Sequence, residues 1–133
     1  NECGDGEGIV ESGVTLISKV GDDLYGKGFR ETFTKRGMNV EYVSVSSNAP
    51  TGTAPIFVDS NGENCIAICT GANDLLSKSD ITRAAQVWKA GDIVGAQLEI
   101  PVAITEYALQ LAAEKECVTV LNTAPGMALS ASL

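Results

Sequence analysis

The chain has 133 residues, 44% of them hydrophobic and 20% charged, with a net charge of −8. That length suits about one domain with a core of its own, and the composition is ordinary for a soluble globular protein. The acidic balance argues against a nucleic-acid partner, since no Lys/Arg cluster exists to neutralise phosphates. No apolar run reaches the ~18 residues of a membrane span, so no membrane partner is expected.

Residues 1–13 are poor structure formers, with Gly4, Gly6, Gly8 and Gly13 set among acids. The opening NECGDGEG lacks the basic start and apolar stretch of a signal peptide, and a cytoplasmic location is expected. A first residue other than Met points to a processed, trimmed or partial sequence. Val14 to Val20 is a β-branched apolar run and predicts a strand. Asp22 is placed to cap the helix that follows, with Tyr25, Phe29 and Phe33 on one face. Gly26 and Gly28 are expected to weaken that helix by about 1 kcal/mol each against Ala, and Gly37 to end it.

Val40 to Val45 predicts a second strand. Thr53–Asp59 and Asn64–Cys69 predict a hairpin, because Ser60-Asn-Gly-Glu63 between them carries an Asn-Gly turn signal. Alternation puts Ala54, Ile56 and Val58 on one face, and Ile66 and Ile68 continue it. Pro55 lacks an amide hydrogen, so its strand should be an edge or carry a bulge there. Ser77 or Ser79 caps the next helix, with Ile81, Ala84, Ala85 and Trp88 on one face. Ile93–Glu99 and Val118–Leu121 read as buried parallel strands. Pro101 begins the helix between them, and Ile104, Tyr107, Ala108 and Leu111 form its inner face. The fold class is therefore α/β: a Rossmann-like parallel sheet flanked by helices, from which the hairpin projects.

The chain has no His, which excludes Ser-His-Asp and Cys-His mechanisms within it. Four cysteines without paired CxxC spacing do not suggest a zinc site, and no metal ligand is assigned. Cys65 and Cys117 lie in apolar runs and are expected to be buried free thiols. Gly4-Asp-Gly6-Glu-Gly8 lacks the Lys and the preceding strand of a phosphate loop, and its acids would repel phosphate. In open α/β sheets ligands bind beyond the carboxyl ends of the strands. Glu99 and Asn122 mark two such ends. Glu99 is either an acceptor for sugar hydroxyls or the first solvated residue after its strand. Asn122 reads as a turn former ahead of Thr123-Ala-Pro125.

Four segments together resemble one family. These are KVGDDLYG at 19–26, TGTAPIFVDSNGENCIAICTGAND at 51–74, AQLEIP at 96–101 and LNTAP at 121–125. They are similar, in order and spacing, to the ribokinase family of sugar kinases, more than to fructokinases or adenosine kinases. The resemblance implies a ribokinase-like fold, truncated to its N-terminal half, with a lid segment at about 46–70. It implies ATP-dependent phosphorylation of D-ribose at the 5-hydroxyl, with Mg2+ and a monovalent cation (K+) in the complete enzyme. By position, Glu99 matches the acid that holds ribose hydroxyls, and Ala54, Ile56 and Ile66 match apolar lid residues over the sugar. Asn1 matches the last residue of the family's Gly-Gly-Lys-Gly-Ala-Asn motif, although residues 2–13 depart from the Ala-rich helix that follows it. The family's Gly-x-Gly-Asp anion hole and Asn-x-x-Glu magnesium motif have no counterpart here. No catalytic or nucleotide-binding residue is assigned to these 133 residues, and little turnover is expected from them alone. The resemblance also implies a homodimer formed through the lids. The competing reading is a non-catalytic interaction protein that keeps the fold and dimerises through the same hairpin.

Overall fold

A computed structural model describes residues 13–126 and 128. Two β-α-β units carry the architecture, and a hairpin lies between them. In the first unit, β1 (Ser18–Gly21) and β2 (Val43–Ser46) pair in parallel, with Val20 opposite Val45. The helix α1 (Leu24–Lys35) makes the crossover that parallel pairing requires. In the second unit, β5 (Ile93–Ala96) and β6 (Val118–Leu121) pair in parallel across α3 (Val102–Glu114). Between the units come the hairpin strands β3 (Ile56–Val58) and β4 (Asn64–Ile66), a 3-10 turn at Gly71–Leu75, and α2 (Lys78–Ala84). The α/β class with parallel strands and flanking helices is as the sequence implies. Among the described residues no ladder joins the two parallel pairs.

The core gathers where α2 meets α3. Leu76, Ile81 and Ala108 are buried there, with Ile17, Trp88, Ile104, Tyr107 and Leu111 packed around them. Ser77 caps α2, and its capping box with Asp80 decides between the two candidate serines. Helix α1 ends at Lys35 in a Schellman motif. Gly37 sits at φ +79°, and the Met38 amide donates to the Phe33 carbonyl.

Several expectations need correction. Asp23, not Asp22, caps α1, accepting from the Gly26 amide. The first strand starts only at Ser18, because residues 14–16 bond to Asn39 ahead of β2. Tyr25, Phe29 and Phe33 do share one face, beside a common groove, but that face is open and Tyr25 is 71% exposed. Gly26 is the residue of α1 that packs inward, buried so close to β1 that a Cβ would overlap the Gly21 carbonyl oxygen. The expected burial of β5 and β6 also fails, since Ile93, Val118 and Val120 are exposed. Helix α3 packs against this pair, and among the described residues nothing covers the face they share. Cys65 is exposed on the uncovered hairpin strand β4, and Cys117 is half-buried in the link between α3 and β6.

Candidate functional site

Glu99 lies beyond the end of β5, three residues after Ala96, in a bend rather than at the strand end. Two bonds pin that bend. The Thr105 hydroxyl, 0% exposed, donates to the Gln97 carbonyl at 3.0 Å, and the Leu98 amide donates to the Ala124 carbonyl at 3.2 Å. The Leu98 side chain is buried and acts as an anchor. Glu99 itself points outward, and among the described residues its carboxylate has no hydrogen bond or ion pair. A carboxylate without an internal partner, held on a rigid bend, is a ready acceptor for hydroxyl donors. The Asn122 amide donates to the Ala96 carbonyl at 2.9 Å, so residues 122–124 run beside this bend. Glu99 and Asn122 thus stand on adjoining loops at the carboxyl end of a parallel pair.

The hairpin is the second part. Its register is Ile56 opposite Ile66, Phe57 opposite Cys65 and Val58 opposite Asn64, with a further bridge between Thr53 and Cys69. The same register runs from that bridge to β3, so no bulge forms at Pro55. Its carbonyl accepts from the Ala67 amide at 3.0 Å, and the missing donor leaves a gap in the ladder. Cross-strand partners share a face, which brings Ile56 and Ile66 together. Alternation puts Ala54, Val58 and Ile68 on that face too. Both faces are exposed, with Ile56 at 61%. The turn spans three residues rather than the two that Asn-Gly suggests. The Gly62 amide donates to the Asp59 carbonyl at 3.1 Å, Gly62 takes φ +85°, and the Asp59 carboxylate accepts from the Asn61 and Glu63 amides. No hydrogen bond or ion pair joins Glu99 to the hairpin. Asn1 lies outside the described residues.

Sequence reasoning overlooked the base of the hairpin. The Thr51 amide and hydroxyl each donate to the Asp23 carboxylate at 2.7 Å, and the Gly26 amide donates to it at 2.8 Å. The Gly21 amide donates to the Thr51 hydroxyl oxygen at 2.9 Å. Bonds from the Thr51 amide, then the Gly26 amide and the Thr51 hydroxyl, hold the Asp23 carboxyl below the ordinary carboxylate range. Asp23, Thr51 and Gly52 all lie in the segments quoted for the resemblance, but nothing in their spacing shows that they meet. Beside them a shallow groove is lined by Leu24, Tyr25, Phe29, Phe33, Thr51 and Thr53. Among the described residues no three Cys, Asp or Glu side chains gather to hold a metal. No step through Mg2+ or a monovalent cation is derived from them.

Residues 9–130 match the pfkB family of carbohydrate kinases. The ribokinase of Dictyostelium discoideum is 41% identical over 118 residues, covering 88% of this chain and 37% of that protein. The deoxyribokinase of Salmonella typhi is 34% identical over 118 residues, covering 89% of this chain and 39% of that protein. Among solved structures, the ribokinase of Thermotoga maritima superposes with a TM-score of 0.76 at 30% identity, over 95% of this chain and 40% of that one. The chain spans 37% and 39% of the length of these two curated relatives.

Proposed function

The chain belongs to the pfkB family of carbohydrate kinases, and on that premise we propose that it is the sugar-facing part of a ribokinase-type enzyme. The reaction is transfer of the ATP γ-phosphoryl group to the 5-hydroxyl of D-ribose. The observation that carries this reading is Glu99, whose carboxylate, without a partner among the described residues, stands on a pinned bend at the carboxyl end of β5. In this role Glu99 accepts hydrogen bonds from ribose hydroxyls. Ala54, Ile56 and Ile66 form the apolar cover of the lid, and Asn1 adds a second polar contact. Charge stabilisation and positioning drive phosphoryl transfer. None of the 133 residues is assigned as base, and none is assigned to bind ATP, Mg2+ or K+. Residues 1–133 alone should therefore form no ribose phosphate. The lid is also the proposed homodimer surface.

Calorimetry on the intact protein tests the sugar site, with D-ribose and 2-deoxy-D-ribose as ligands. Losing hydrogen bonds to a charged acceptor costs about 1.5–3 kcal/mol, so Glu99→Ala should raise the ribose Kd roughly 10- to 150-fold. An unchanged Kd would assign Glu99 to the surface, and tighter binding of the deoxy sugar would reassign the substrate.

A further inference from the structure

The lid base is built as a clamp. Its two limbs, residues 50–53 and 69–73, are tied together by the Ala72 amide donating to the Pro50 carbonyl at 2.8 Å and by paired bonds of 2.9 Å between Thr53 and Cys69. Glycines let the backbones touch. A Cβ on Gly52 would sit 2.6 Å from the Thr70 carbonyl oxygen, and one on Gly71, at φ +52°, would overlap that of Pro50. Among the described residues, side-chain hydrogen bonds tie one limb to the start of α1, and that tie runs through Asp23. One carboxylate oxygen accepts from the Thr51 amide, and the other accepts from the Thr51 hydroxyl and the Gly26 amide. A helix cap alone needs only the Gly26 bond. The two further bonds, at 2.7 Å and charge-assisted, serve the hairpin.

We propose that Asp23 is a positioning residue for the lid, holding Thr51 so that the hairpin leaves the body of the protein in one fixed direction. Motion of the lid then begins beyond Thr53 and Cys69, and residues 50–52 and 70–73 stay with the body. That the lid covers a sugar rests on the proposed function, whereas the clamp is testable without any sugar.

Amide hydrogen exchange followed residue by residue by NMR, on the 133-residue chain without ligand, reads the clamp. The reporters are the Thr53 and Cys69 amides, which do not touch Asp23. The Ala112 amide in α3 gives the rate of global opening. Asp23→Ser keeps a capping oxygen for Gly26 but cannot also reach the Thr51 amide. It should leave the α1 amides protected while Thr53 and Cys69 exchange at least about ten-fold faster relative to Ala112, since their opening is local. Thr51→Val should do the same, and Thr51→Ser, which restores the hydroxyl, should return the rates to wild type. Should Asp23→Ser fail to fold, the Thr51 pair decides alone. Unchanged Thr53 and Cys69 rates, or an acceleration shared equally by Ala112, would make Asp23 a helix cap and nothing more. A protein that binds no ribose in calorimetry but shows this pattern would overturn the sugar assignment and leave the clamp intact.

Discussion

Asp80 joins two distant parts of the chain. It completes the capping box of α2 with Ser77, and it forms an ion pair with Lys19 of β1 at 2.8 Å, the two side chains 12% and 16% exposed. Partial burial pushes its carboxyl up, but bonds from Lys19 and from the hydroxyl and amide of Ser77 outweigh this and hold it at about 2. A pKa lowered on folding contributes stability above the unfolded value of 3.8, and that contribution fades as pH falls through about 2. Discounted for solvent screening, it amounts to about 1 kcal/mol. Chemical denaturation should therefore show wild type losing more stability than Asp80→Asn between pH 4 and pH 2, and parallel curves would refute the linkage. Glu116 offers a second test. It occupies the C′ position of the Schellman motif that ends α3, at φ +58°, where Gly is the usual residue. The left-handed conformation costs a side chain about 1–2 kcal/mol, partly offset by the extra freedom of Gly in the unfolded chain. Glu116→Gly should raise stability by about 0.5–1 kcal/mol in the same assay. The capping serine was legible as one of two candidates, because cap chemistry is local. The Lys19–Asp80 pair, 61 residues apart in sequence, was not.

Helix α1 shows how far element-level reading reaches. Its span, its Gly37 stop and its amphipathic spacing were legible, because these depend on nearby residues. Its inner face was not, since that depends on what lies opposite. Propensity treats Gly26 and Gly28 alike. Packing separates them, because a Cβ on Gly26 overlaps the Gly21 carbonyl, whereas one on Gly28 meets nothing within 4 Å. Gly28→Ala should therefore stabilise the protein by about 0.5–1 kcal/mol through helix propensity and unfolded-state entropy. Gly26→Ala should destabilise it by about 1–3 kcal/mol, as overpacking against backbone does. Thermal and denaturant unfolding of both variants decides the matter, and two shifts of the same sign would show that propensity alone governs this helix. The hairpin was legible in its strands and its shared apolar face. The three-residue turn was not, because the Asp59 carboxylate shapes it by bonding to the Asn61 and Glu63 amides.

At the scale of the whole molecule, the continuous apolar run of β5 anticipates two covered faces, and the described residues cover one. Ile93, 73% exposed, shares its outer face with Val118 and Val120. The hairpin is a second uncovered apolar surface, with Ile56, Val58, Ile66 and Ile68 exposed along one side. A two-stranded ribbon is marginal in water, and burying an Ile side chain is worth about 1.5–3 kcal/mol, so covering this face is strongly favoured. A second hairpin is the proposed cover, since it presents an identical face and a twofold pairing is self-complementary. Ile56 sits directly opposite Ile66, near the middle of that face. Ile56→Asp puts a charge where the partner's apolar side chains would close over it, and burying an unpaired carboxylate is far costlier than losing the contact. The α2–α3 core does not include the hairpin, so the variant should remain folded by circular dichroism. Light scattering coupled to size exclusion should find wild type dimeric at tens of micromolar and Ile56→Asp monomeric. A monomeric wild type, or a variant that stays dimeric, would mean that something other than a second hairpin covers this face.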